Sequence, residues 1–201
     1  RTNMPVWGLV TERIGPTLIL SISSLLVSLL IAIPLGSMAA IKPYSFWDYL
    51  SSAIAFIGSA APNFFVALVC IYIFSLKLGI LPAMGMYSSG NHGSLGDLLL
   101  HLILPCFIMV IQIMGIFIKE TRGSMLDVMH EEYVKTARSK GLPEVVVVIR
   151  HILRNSLVPI VSCISLVIPF MVGGAVVTEQ VFGWPGMGNL LMLSISQRDY
   201  N

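Results

Sequence analysis

Four stretches of the chain run almost without charge for the length of a membrane crossing: about Pro16–Ile41, Trp47–Leu76, Leu98–Ile118 and Leu157–Val181. A helix needs about 17–25 predominantly apolar residues to cross hydrocarbon. The pattern therefore predicts an all-α fold, a polytopic bundle with four spanning helices. A soluble protein with one large core is the alternative. It requires polar surface that a chain of 201 residues, 56% hydrophobic and 11% charged, does not have, since soluble domains are about one-quarter charged. A mean hydropathy of +0.87 points the same way.

Charge between the runs is unevenly shared. Segment 119–156 holds seven of the twelve Lys/Arg residues and five of the ten acids, and the link 42–46 adds Lys42. The opposite side carries only Arg1, Arg13, Lys77 and Arg198, so the basic residues divide eight to four. Basic loops stay in the cytoplasm. The expected orientation puts Lys42 and the 119–156 segment inside, with the 77–97 loop and both ends of the chain outside. A net charge of +2 is too small to argue for nucleic acid. The start at Arg1 and the stop at Asn201, shortly after the last apolar run, read as the interior of a longer protein, a single transmembrane domain with sequence missing at one or both ends.

Each predicted span contains a proline: Pro34, Pro62, Pro105 and Pro169. Proline removes a backbone donor and bends or breaks a helix, so the four together suggest bent helices around a pathway. Ala32, Gly36 and Ala40 form a small-residue stripe suited to close helix approach. On the outer side, 77–93 and 181–191 read as half-embedded loops or short interfacial helices, the latter with Phe182 and Trp184 at belt height. The three cysteines, Cys70, Cys106 and Cys163, fall in different spans with no disulfide or zinc spacing.

The stretch Glu132–Pro159, EYVKTARSKGLPEVVVVIRHILRNSLVP, is charged and lies between two spans. Acids at Glu131 and Glu132 and bases at Lys135, Arg138 and Lys140 suit the two ends of one short helix. Gly141 supplies a left-handed stop, and Pro143 with Glu144 opens a second helix through Arg150 and Arg154. Met129, Tyr133 and Ala137 share one face, which is suited to docking on another protein. A solvated linker with ordinary capping explains the same residues.

This segment resembles the EAA loop of ABC importer permeases, in particular the peptide and nickel branch. The resemblance rests on Tyr133, Val134, Thr136, Ala137, Arg138, Lys140 and Gly141, followed by Arg150, His151, Leu153, Arg154, Asn155 and Pro159. Glu12–Leu18 (ERIGPTL), Gly79–Met86 (GILPAMGM), the Pro62 region and Glu179–Leu191 (EQVFGWPGMGNLL) are similar to further parts of that branch, closest to the first permease subunit of oligopeptide importers. Lys135 departs from the general pattern, which has Glu there, and Val145–Val148 replaces a run that is often basic or polar.

The resemblance implies a fold of the type I ABC importer permease kind, in the plasma (inner) membrane of a bacterium, of which the given sequence would lack the first and last spans. The partners it implies are a second permease subunit, two cytoplasmic ATPase subunits and an extracytoplasmic substrate-binding protein. ATP and magnesium would bind on the ATPase subunits, with no cofactor on this chain. No Walker A sequence occurs here, which agrees with a non-catalytic subunit. The implied ATPase-coupling residues are Glu132, Tyr133, Thr136, Ala137, Arg138, Lys140, Gly141, Arg150, Arg154 and Asn155. Arg150 and Arg154 are almost as well suited to lipid headgroups.

The substrate follows less directly. Ser59, Asn63, Gln112, Ser162 and Ser165 are polar positions within spans and are candidates to line a pathway, although such residues commonly bond helix to helix. Peptides are favoured. A nickel or metal-chelate importer is the alternative, drawing on His92, His101, Cys106 and eleven methionines without a convincing ligand spacing. Glu179 sits where it could face the pathway or the membrane interface. An ion-coupled secondary transporter would require ionisable groups deep within spans, and a membrane enzyme a nucleophile–base or metal cluster. The chain shows neither pattern.

Overall fold

A computed structural model describes residues 6–90 and 93–198, without the side chains at 6, 59 and 172–174. The described chain is all-α: α1 Val6–Ile41, α2 Phe46–Ala60, α3 Asn63–Cys70, α4 Leu95–Met129, α5 Glu132–Ser139, α6 Glu144–Val146, α7 Arg154–Val181 and α8 Met187–Ser196. Two π-helical stretches, Ile71–Lys77 after α3 and Val147–Leu153 after α6, extend their neighbours. No strand occurs among the described residues.

Element bounds differ from the hydropathy pattern in informative ways. The first helix starts at Val6 and the third long helix continues to Met129. Each addition carries charged residues (Glu12 and Arg13 in the first, Lys119 to Asp127 in the second) but no proline, and hydropathy measures lipid solubility rather than helicity. Proline behaves unevenly. Pro62 does stand at an interruption, in extended conformation before α3. Pro34, Pro105 and Pro169 lie inside helices that run on through them, so none of these three interrupts its helix. A helix whose flanks are packed can tolerate one lost donor, and Pro105 is itself buried, among Leu104, Cys106 and Ile108. Of the two loops expected on the outer side, 181–191 supplies the start of α8, whereas 78–90 is irregular.

The chain forms two compact units. One comprises the described residues of 6–26, 61–112 and 169–198; the other comprises 27–60 and 113–168. In the first, Ala67, Cys70, Leu104, Ile108 and Phe182 make a buried cluster. In the second, Ala40, Met125, Val134, Ala137, Val147 and Ile152 do so. The second unit depends on small residues for its packing. A Cβ added at Gly36 would lie 2.7 Å from the Thr121 Cβ, and one at Gly115 would lie 2.8 Å from the Ala55 Cα. The predicted stripe is thus a true contact, and Ala32 and Ala40 are buried with it.

Two glycines on α4 should respond in opposite directions. Gly115→Ala must push α2 off α4 and should cost about 1–3 kcal/mol. At Gly123 no atom lies within 4 Å of an added Cβ. Gly123→Ala should therefore stabilise by about 0.5–1 kcal/mol through helix propensity. Thermal melting of the full-length subunit in detergent would show a fall for the first and no fall for the second.

Candidate functional site

The loop between α4 and α7 folds as two helices turned by one glycine. Helix α5 starts after Glu131, which is extended, and carries Glu132 in its first turn and Arg138 in its last. Gly141 has φ +75°, and its N–H donates to the Arg138 carbonyl at 2.9 Å. Nothing lies within 4 Å of a Cβ placed there, so glycine is required by the backbone and not by its neighbours. Arg138 then reaches across the turn, its Nη2 donating to Glu144 Oε1 at 2.7 Å. That hydrogen bond lowers the Glu144 carboxyl and raises the Arg138 guanidinium relative to their ordinary values. Arg138 therefore braces the loop internally.

Val134 and Ala137 turn inward onto Ala40 of α1 and Met125 of α4, with Met129 packed beside them. Of the apolar face expected to dock, Met129 and Ala137 are thus largely committed to the loop's own core. Tyr133 remains 42% exposed. It joins Thr136, Ala137, Lys140, Leu142 and His151 around a groove of about 320 Å³. Thr136 Oγ1 donates to the Glu132 carbonyl, and Lys135 pairs with Glu132 at 2.7 Å. Arg150, Arg154 and Asn155 are exposed, and the Asn155 amide donates to the His151 carbonyl at 2.6 Å.

The pathway candidates are not gathered in one unit. Asn63 and Gln112 are half-buried in the first; Ser162 and Ser165 are exposed in the second, where Ser162 donates to the Val158 carbonyl. The Ser59 side chain lies outside the described residues.

A second constellation was only partly visible in the sequence. Glu179 faces neither pathway nor interface: it is fully buried. Its Oε1 accepts from Thr17 Oγ1 at 2.7 Å, and its Oε2 accepts from the backbone N–H groups of Gly188 and Asn189 at 2.7 and 3.1 Å. Thr17 Oγ1 also accepts from Met187 N–H at 2.8 Å. The carboxylate and one hydroxyl thereby satisfy the first three donors of α8, which a helix start leaves unpaired. Negative charge is favourable at that end of a helix.

The surrounding motif serves this contact. A Cβ at Gly186 would fall on the Glu179 carboxylate, and one at Gly188 on the Val176 backbone. Buried Trp184 donates from Nε1 to the Pro16 carbonyl at 2.9 Å, and its own carbonyl accepts from the Asn189 amide. The adjoining loop is tied in as well: Gly85 N–H donates to the Phe182 carbonyl at 2.8 Å. His101 Nδ1 lies 3.0 Å from the Gly85 carbonyl, which only accepts, so Nδ1 carries the hydrogen there. Ser88 donates by its backbone and hydroxyl to Asp97. His101 is thus engaged with this loop. His92 lies outside the described residues, and among the described residues no three His, Cys, Asp or Glu side chains gather in a metal-binding arrangement. The segments 12–18, 79–86 and 179–191, far apart in the chain, meet here. A buried acid followed by Gly-Met-Gly at a helix start was the available signal.

Residues 32–201 match the family described as the binding-protein-dependent transport system inner membrane component, and the chain belongs to that family. It is 41% identical over 200 residues to a Bacillus subtilis protein named oligopeptide transport system permease protein AppB, covering 100% of this chain and 63% of the relative. It is 37% identical over 199 residues to an Escherichia coli K12 protein named glutathione transport system permease protein GsiC, covering 99% of this chain and 62% of that relative. The chain thus spans a little under two-thirds of the length of these relatives.

Two outcomes follow from the geometry. Glu179→Ala strands the buried N–H groups of Gly188 and Asn189 and should destabilise by about 1–3 kcal/mol for each group left unpaired. A lower melting temperature together with faster proteolysis in 182–190 would register it, and Glu179→Gln should lose less. The Arg138–Glu144 strap should respond to acid. Because the Glu144 carboxyl is lowered in the fold, its contribution is complete above the ordinary glutamate range and fades as pH falls through the folded value. Hydrogen exchange of amides 139–146 should quicken in that acidic window in the wild type and not in Glu144→Gln.

Proposed function

We propose that this chain is a membrane-embedded permease subunit of an ATP-binding-cassette importer for oligopeptides or dipeptides. Family membership and the names of its relatives support the substrate class. The observation that carries the mechanism is the 131–156 loop, a glycine-turned helix pair strapped by Arg138–Glu144 and backed by the ends of α1 and α4. A lever needs that stiffness. Force on the face around Tyr133, Thr136 and Lys140 passes through Val134 and Ala137 into Ala40 and Met125.

On this reading, two cytoplasmic ATPase subunits bind ATP with magnesium and press on this loop and its counterpart in a second permease subunit. An extracytoplasmic binding protein delivers the peptide. Charge asymmetry supports a cytoplasmic position for 119–156, with both ends of the given chain outside. Glu132, Tyr133, Thr136, Lys140, Arg150, Arg154 and Asn155 form the contact surface, while Ala137, Arg138 and Gly141 hold its shape. Ser59, Asn63, Gln112, Ser162 and Ser165 remain the candidate pathway positions. This chain hydrolyses nothing itself.

ATPase activity of the reconstituted complex should rise when the binding protein carries short peptides and not when it carries a nickel chelate. Stimulation by nickel alone would overturn the substrate class and leave the architecture standing. Gly141→Asp should leave insertion and assembly intact but uncouple hydrolysis from uptake, because the left-handed turn is strained by roughly 1 kcal/mol and a charge is added at the contact. Normal uptake by that variant would count against the loop as the coupling element.

A further inference from the structure

The turn joining α1 to α2 has an unusual conformation that calls for a physical reason. Tyr44 has φ +59°, a region that bulky residues rarely adopt. Such strain persists only where the surroundings impose it, and it tends to mark a functional position. Here the imposing group is Asp48. Its Oδ2 accepts the Tyr44 N–H at 2.9 Å, while Arg122 of α4 donates from Nε to Oδ1 at 2.9 Å and from Nη2 to Oδ2 at 3.1 Å. Asp48 is buried at 7% exposure.

The turn so held presents its aromatic side chains outward. Tyr44 is 84% exposed, Phe46 71%, Tyr49 66% and Trp47 39%. Phe46 and Trp47 stand edge to face with centroids 5.7 Å apart. Lys42 is exposed beside them, and the nearest acid in the sequence, Asp48, is already bound to Arg122. Four aromatic side chains within six residues are costly in water. They stand where one apolar helix ends at Ile41 and the next begins at Phe46, the level at which Trp and Tyr collect in membrane proteins. Tyr49 continues along α2 to Phe56, 69% exposed and seven residues on, on the same face. The aromatic patch is therefore continuous with an apolar, outward-facing stripe.

We propose that 42–49 is a lipid-headgroup anchor. The aromatic rings seat at the headgroup–acyl boundary of the cytoplasmic leaflet, and Lys42 takes the phosphate of an anionic phospholipid. Asp48 and Arg122 are its positioning residues, holding Tyr44 in the strained conformation that turns its ring outward. The inference rests on the membrane placement and orientation given above.

The test uses the full transporter complex in nanodiscs of phosphatidylcholine and phosphatidylglycerol, with a benzophenone amino acid in place of Tyr44. Irradiation should yield the subunit with the mass of one phospholipid added. In Lys42→Gln the phosphatidylglycerol adduct should fall roughly fivefold, as expected for losing one basic residue near an anionic surface, while the phosphatidylcholine adduct persists. If the Tyr44 variant does not assemble, the same probe at Tyr49 is read in the same way. Cross-linking to an ATPase subunit or to a second permease, or no adduct in a complex that still transports, would overturn the anchor. Because transport is measured in the same sample, failure of the anchor is distinguishable from failure of the importer reading.

Discussion

A chain this apolar has little water available to satisfy its polar groups, so a buried backbone N–H left unmatched from within is costly. Two carboxylates show how that constraint shapes the molecule. Glu179 accepts the N–H groups that begin α8, and Asp48 accepts the N–H of the turn that begins α2. Each is completed by a side chain from a separate helix, Thr17 in one case and Arg122 in the other. An acid near the end of an apolar helix thus fixes the direction of a neighbouring segment. Removing the acid would leave those donors without the acceptor that holds them.

Space is governed as tightly as charge. Gly186 and Gly188 leave room for the Glu179 carboxylate, and Gly36 and Gly115 let helices of the second unit meet at backbone distance. Hydrophobic burial alone cannot hold helices together in lipid, because the solvent is as apolar as the side chains. Close contact and matched polar groups do that work instead. The 131–156 loop follows the other rule: Val134, Ala137, Val147 and Ile152 form a small core there, with charged residues on the outside.

Much of this was readable in the sequence because its signals were local. Helix type follows from long apolar runs, and the Gly141 stop follows from a basic helix end followed by Gly-Leu-Pro. Other features were not local. Nothing near Ala137 distinguishes a side chain that meets a partner from one that packs on Ala40, since both require a small apolar residue. Glu179 looked like a pathway or interface residue because its partners, Thr17 and the start of α8, are set by tertiary contact. Proline acts by context: of the four, Pro62 stands at an interruption and the other three lie within continuous helices, a difference that a residue count does not show. The fold class, the order of the segments and the loop's outline were thus accessible, whereas the inward or outward direction of individual side chains was not.

The central claim is that the groove-bearing face of the loop meets an ATPase. The most direct measurement is photo-cross-linking from Thr136, which is exposed and lines the groove, in the assembled transporter with and without ATP. The account predicts a covalent product with an ATPase subunit whose yield changes with nucleotide. A probe at Thr136 that reacts only with lipid or water, in a complex that still imports peptide, would contradict it.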